Sequence, residues 1–468
     1  MTRRRRQSSI CRTQCPRSAG IIGKEAPRGY CILLAALLVF VSCLRAEPSD
    51  PVFLTADGKE VTGWMMGTSR LYPTSFAGLP KPPAGYKPVH ISHYGRHGSR
   101  YLVNPEQYGS IYSVLEKAAA AGMLTPEGES VWRDYAAMYS EFRMHEGELT
   151  PLGAEQQRGI ARRMVERYPS LFRRGALVEA NSTNLERTML SMLNFTGELQ
   201  SLRPGLFVYA DASRSYQGKI NQHMLENPQA TEYDIRWKKG TDLWRPAFDE
   251  YVVGLIDPEP FCKRLFADYG WLHGICDPLM FERDFFDVAM NMPSCGLGDI
   301  LLKAFTFDEM MLLGRLDNYS FYVAKSRWPG YDRRACYLSE SVLGDILEKV
   351  PQDLMTGVKV RLRFGHDGCM MALFAMLRLD GWNAEIDDLS RAWEVWDVSR
   401  IPMASNLQLV LFRGRGGDLI FLPLLNEEPL AMPLDDLGGG YYRWDDFVSY
   451  CGPILSEARQ ALQNTFKP

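Results

Sequence analysis

The sequence has no Cys-x-x-Cys pair, no apolar run long enough to span a bilayer and no surplus of positive charge. The first lack argues against a zinc knuckle. The second concerns the run Cys31–Val41, which falls well short of the roughly 20 residues that a membrane helix requires. Arg3–Arg6, Arg12, Arg17, Lys24 and Arg28 precede this run and Ser42-Cys43 ends it, so residues 1–42 have the form of a secretory leader. Removing the leader takes away eight of the 53 basic side chains and one of the 56 acidic ones (Glu25). That leaves 45 against 55, a formal charge of −10. An acidic exterior argues against general nucleic-acid binding, so any capture of phosphate has to come from a local basic pocket. The composition carries no sign of disorder, collagen or coiled coil either.

What is present is material for a large core. The 468 residues are 46% hydrophobic and 12% aromatic, enough for two or three domains' worth of chain. Phe40-Val41-Ser42-Cys43 resembles a bacterial lipobox, with phenylalanine in place of the usual leucine. Cys43 would then be the lipid-modified first residue of an exported protein, periplasmic or held at the outer membrane by its anchor. Cleavage after Ala46 without lipid is the alternative. Beside Cys43 remain Cys262, Cys276, Cys295, Cys336, Cys369 and Cys451. In an exported chain such a set permits disulfides, and Cys262, Cys276 and Cys295 are the expected source of a pair.

Residues 43–87, rich in proline, read as an arm packed on the core. Pro88–Ile91 is a short buried strand that breaks at Gly95. Asn104-Pro105, Thr125-Pro126 and Thr150-Pro151 each place a capping side chain before a proline, the signature of a helix start. Residues 176–180 read as a strand, and Thr183 with Glu186 fits a capping box that opens the next helix. This puts Arg187 in a first turn, where a cation is unfavourable unless an anion lies between it and the helix end. Short helical pieces (281–291, 297–312, 339–349) fill a loosely patterned stretch, 195–345, which reads as a mainly helical insertion. Val358, Val360, Leu362 and Phe364 alternate with Lys359, Arg361 and Arg363, a half-buried strand. His366 and Asp367 follow on a turn before an apolar helix, 369–379. Strands 407–412 and 418–423 close the core as a hairpin.

The chemistry concentrates in Gly95-Arg96-His97-Gly98-Ser99-Arg100. Two guanidiniums bracket an imidazole beside glycines that let backbone approach a ligand, a compact site for a dianion. Arginine matches phosphate oxygens with its planar fork, and a neutral imidazole can attack phosphorus. This segment resembles the Arg-His-Gly-x-Arg signature of the histidine acid phosphatases. Leu149–Gly153, the Thr183…Arg187-Thr188 segment and His366-Asp367 are similar to further family motifs in the same order. The resemblance spans roughly residues 88–425. It implies an α/β three-layer sandwich with a central mixed sheet, built from 88–194 and 346–468, and a helical cap in 195–345 that shapes specificity.

The resemblance also implies roles. His97 is the nucleophile and Asp367 the proton donor, while Arg96, Arg100, Arg187 and His366 bind the phosphate. No metal and no cofactor are expected, and the partner is a small phosphomonoester. Gly95–Tyr101 and the long arm look most like the multiple inositol polyphosphate phosphatases and phytases. That subgroup usually carries His-Ala-Glu, where this chain has His366-Asp367-Gly368. Arg214, Lys219, Arg236, Lys238 and Lys239 are candidates to meet additional phosphates. A broad-specificity acid phosphatase is the alternative within the same chemistry, and a surface binding lipoprotein the alternative without it. A phosphoglycerate-mutase-like enzyme shares Arg-His-Gly, usually in a shorter chain without a leader. A metal site from His90, His93 and His97 is disfavoured, because on a strand His90 and His93 face opposite sides.

Overall fold

Strand β1 (Lys87–Arg96) is the axis of the molecule, which is known from a computed structural model that describes residues 50–221, 244–331 and 333–464. The expected leader, Cys43, Arg236, Lys238 and Lys239 lie outside the described residues. β1 is longer than the four residues expected, running without a break through Gly95, because both its edges are paired. It lies parallel to β4 (Val358–Gly365) on one side and antiparallel to β5 (Asn406–Arg413) on the other.

From β1 the chain forms helices α1 (Pro105–Ala120), α2 (Pro126–Phe142) and α3 (Pro151–Arg167). Asn104, Thr125 and Thr150 cap them as their spacing predicts. β2 (Leu177–Ser182), α4 (Glu186–Leu202), β3 (Phe207–Asp211) and α5 (Arg214–Ile220) follow. The helical stretch holds α6 (Arg245–Leu255), α7 (Glu259–Leu265), α8 (Tyr269–His273), α9 (Pro278–Asn291) and α10 (Phe307–Lys325). α11 (Glu340–Thr356) leads into β4, α12 (Asp367–Met376) and the single turn α13 (Ala392–Val395). The hairpin β5 and β6 (Leu419–Leu425), the short β7 (Glu428–Pro429) and β8 (Tyr442–Arg443), and α14 (Trp444–Asn464) end the fold. The sheet order is β3-β2-β4-β1-β5-β6-β7, with β8 also on β6. β3, β2, β4 and β1 are parallel and the rest antiparallel, so the sheet is mixed.

Helices cover both faces. Ile91, Val360, Leu362 and Phe364 pack with Ile160 and Met164 of α3 and Phe195 of α4 in one core. The opposite face carries Arg361 and Arg363, and here the expectation of a half-exposed strand fails: both are buried. α11 supplies their partners. Arg361 takes both oxygens of Asp353 at 2.6 and 2.7 Å, and Arg363 Nε donates to Asp345 at 2.6 Å. A parallel strand flanked by helices is buried on both faces, and polar alternation then marks ion pairs, not solvent.

Other expectations shift too. The chain stays in the sheet through β3, beyond the expected boundary at residue 194, and the helix expected over 297–312 begins only at Phe307. The described cysteines are all free, so no disulfide joins Cys262, Cys276 and Cys295. The arm reaches into the core with Met65, Met66 and Tyr72, and its Arg70 carbonyl accepts from Met403 N–H. No helix among the described residues is long and apolar enough to cross a membrane.

Candidate active site

Parallel neighbours end together, and this brings the two signature turns side by side. Gly95 pairs with Phe364 and Arg96 with Gly365, and His97 N–H donates to the Gly365 carbonyl at 3.1 Å. The imidazoles of His97 and His366 then sit edge to face, 5.8 Å between centroids. β2, on the far side of β4, ends at the same level. Thr183 N–H donates to the Phe364 carbonyl, bringing the start of α4 and Arg187 to the same end of the sheet. The carboxyl ends of parallel strands are where such sheets hold ligands.

His97 is 3% exposed. Its Nδ1 lies 2.9 Å from the Gly98 carbonyl, which can only accept, so Nδ1 carries the proton and Nε2 presents a lone pair. Burial, with the fields of Arg96, Arg100 and Arg187, drives its pKa far below the usual imidazole value, so the ring is neutral. Arg96 is fixed by three acceptors: the Thr68 carbonyl at 2.6 Å, the Ile401 carbonyl at 3.0 Å and Asp367 at 2.8 Å. Arg100 donates to the Tyr101 carbonyl. Burial pushes the Arg96 and Arg187 guanidiniums down to about 10, and Arg100 is lowered as well. All three remain cations at neutral pH. The Nε atoms of all three are buried without a hydrogen-bond partner. Among the described residues only Arg96 of the three has a carboxylate in ion-pair contact, Asp367, which leaves a local excess of positive charge suited to a dianion.

Asp367, 22% exposed, is the first residue of α12, and its carboxyl also accepts from Gly368 N–H at 2.6 Å. Burial raises its pKa, but Arg96 and His366 outweigh that and hold it below the usual aspartate value. The residue expected to donate a proton is therefore a carboxylate while Arg96 is its partner.

Several supporting groups had no sequence signal, or one that pointed to another role. Thr183 was expected to cap α4, but the N-cap is Leu185 and makes no side-chain bond. The Thr183 hydroxyl instead bridges Thr188 at 2.7 Å and His366 Nε2 at 3.2 Å, orienting the second imidazole. Ser191 Oγ accepts from Gly98 N–H and Gln157 donates to the Arg96 carbonyl, pinning the turn from α4 and α3. Gly153 fits a close approach: a Cβ there would lie 2.1 Å from the Ser99 carbonyl oxygen. Of the basic residues expected to meet extra phosphates, Lys219 lines a separate surface cavity with Glu340 and Arg459. His90 and His93 are buried apart, His90 beside Asp353 and His93 against Phe195 and Phe364. No group of three metal-ligating side chains exists among the described residues.

No family model and no curated protein matches this sequence. Solved structures do resemble it in fold. The Bifidobacterium longum multiple inositol polyphosphate phosphatase in complex with inositol hexasulfate superposes with a TM-score of 0.64 at 17% identity, over 86% of this chain and 98% of that one. The phytase of D. castellii gives 0.62 at 12% identity, over 84% and 85%. The chain therefore has the histidine-acid-phosphatase fold, an α/β sandwich with a helical domain.

Proposed function

We propose that the chain is a phosphomonoester hydrolase that works through a phosphohistidine, with inositol polyphosphates such as phytate as substrates. The observation that carries this reading is a neutral His97, with its Nε2 lone pair free, set among three arginines. Arg96, Arg100 and Arg187 would neutralise the phosphate, and His366, held by Thr183, would add a hydrogen bond. His97 Nε2 attacks phosphorus in line, and the bond from phosphorus to the leaving oxygen breaks. Asp367 gives that oxygen its proton, and water then attacks the phosphohistidine, returning a proton to Asp367. A dianion that engages Arg96 takes away the charge that keeps Asp367 ionised, and burial then favours the protonated acid. The similar structures, a phytase and an inositol polyphosphate phosphatase, favour the inositol class. The leader and Cys43 extend the proposal to an exported, lipid-anchored protein.

Phosphate release from phytate and from an aryl phosphate, in chelator, tests the mechanism. His97→Ala should abolish both. Asp367→Asn should slow phytate by about 10²–10⁴ and the aryl ester much less, because a phenolate leaves without a proton. Retained activity in His97→Ala would refute the phosphohistidine, and equal losses in Asp367→Asn would refute the acid.

A further inference from the structure

The sheet carries a second cleft, lined by none of the residues of the signature turns, on the face that α11 covers. Over the outer strands this cover is incomplete. Phe207 and Tyr209 of β3, the last strand in the sheet order, are 62% and 65% exposed. Side chains in register on parallel neighbours share a face. Tyr209, Glu179 and Arg361 therefore form one row across β3, β2 and β4, and Asp211 and Asn181 lie in the next. A cleft of about 450 Å³, a size that suits a small molecule, opens between these five residues, α11 and Tyr216 of α5. Most of its polar groups are already matched. Arg361 is held by both oxygens of Asp353 and by Glu179 at 2.7 Å, and the Tyr216 hydroxyl donates to Asp345 at 2.8 Å. Asn181 is the exception. It is 7% exposed, makes no side-chain hydrogen bond among the described residues, and its Oδ1 is buried without a partner. A buried amide in this state calls for a partner that enters the cleft.

We propose that this cleft binds a neutral hexopyranose sugar. Glu179, Asp211 and Asp353 stand against Arg361 and Lys349 in its lining, a slight acidic excess that repels a phosphate ester. The cleft is thus no extension of the phosphate site. A cation fares little better. Asp353 spends both oxygens on Arg361, and Asp211 spends both on the Ser213 N–H and hydroxyl, which leaves only Glu179 with an oxygen to offer. Hydroxyls suit what remains, because each both donates and accepts. Two neighbouring hydroxyls of one ring can bond the Glu179 carboxylate and the Asn181 amide together. The C–H face of the same ring then lies on the solvent-facing ring of Tyr209, which gains an apolar contact without losing its wet hydroxyl. This binding does not depend on the phosphatase chemistry proposed for His97.

Saturation-transfer NMR with glucose, galactose and mannose, in excess inorganic phosphate to fill the site at His97, tests this. At least one of the three should bind the wild-type chain in the millimolar range. Tyr209→Ala, at an exposed position, should weaken that binding roughly tenfold, as loss of a ring contact does, without lowering the melting temperature. Glu179→Gln, which keeps the side chain's shape and leaves Arg361 its pair with Asp353, should weaken it several-fold. Neither change should alter phosphate release. Binding that Tyr209→Ala leaves intact overturns the inference, as does binding that phosphate displaces, since the sugar would then sit at His97. No binding of any of the three sugars overturns it too, and a wild-type dimer that Tyr209→Ala splits would then assign the β3 edge to a second copy.

Discussion

The protonation of single side chains decides what this site can do. His97 is kept neutral by its neighbours, so activity should not be lost through its titration at mildly acid pH. A second case lies outside the site. Glu282 is 1% exposed, with Oε2 unpartnered, and burial pushes its pKa up to about 8. The folded state binds this proton more tightly than the unfolded chain, so stability falls as pH rises from the ordinary glutamate range to about 8 and the penalty is complete above that. Glu282→Gln should therefore raise the melting temperature at pH 9, by an amount corresponding to up to about 3 kcal/mol, and leave it nearly unchanged at pH 4. A scan at both values checks this. At this scale the two turns were legible because each is local in sequence, and Arg96-His97 and His366-Asp367 do end neighbouring parallel strands. Thr68 was not legible, since it acts through a backbone carbonyl.

At the scale of elements, the site depends on α3 meeting the turn after β1 backbone to backbone. A Cβ on Gly98 would lie 2.3 Å from the Gly153 carbonyl oxygen, and one on Gly153 would collide with Ser99. Gly153→Ala should thus displace the turn and cut activity at least tenfold, with a lower melting temperature. Gly197 of α4 has nothing within 4 Å of its added Cβ. Gly197→Ala should instead gain about 0.5–1 kcal/mol from helix propensity alone and keep full activity. Circular-dichroism melts and rates on both variants make the comparison. Helix starts were readable because an N-cap and a proline act within one turn. β3 was missed because its residues are mostly exposed at a sheet edge, so no burial pattern betrays it. Arg361 and Arg363 misled for the opposite reason: their partners on α11 occupy positions that sequence marks as polar surface.

For the whole molecule, the arm is part of the candidate site as well as a cover. Met65 and Met66 are buried, the Tyr72 hydroxyl donates to Glu427, and the Thr68 carbonyl holds Arg96. Deleting residues 50–70 should abolish phosphate release and lower the melting temperature, whereas Thr68→Ala, which keeps the carbonyl, should stay near wild type. Rates and melts on the two variants separate these outcomes. The ordered motifs of the resemblance made the sheet and its helical domain readable across most of the chain; the arm's hold on Arg96 was not.

The central position of β1 also sets a timetable for the nascent chain. Both strands that flank β1 come from the last quarter of the chain, β4 at Val358 and β5 at Asn406. At about 5–20 residues per second, the ribosome needs on the order of ten seconds to a minute to supply them. Throughout that interval β1 has neither neighbour, and an apolar strand with two open edges is prone to pair wrongly. The same topology that joins the His97 turn to the Asp367 turn thus delays completion of the centre of the sheet until the last quarter of the chain has been made.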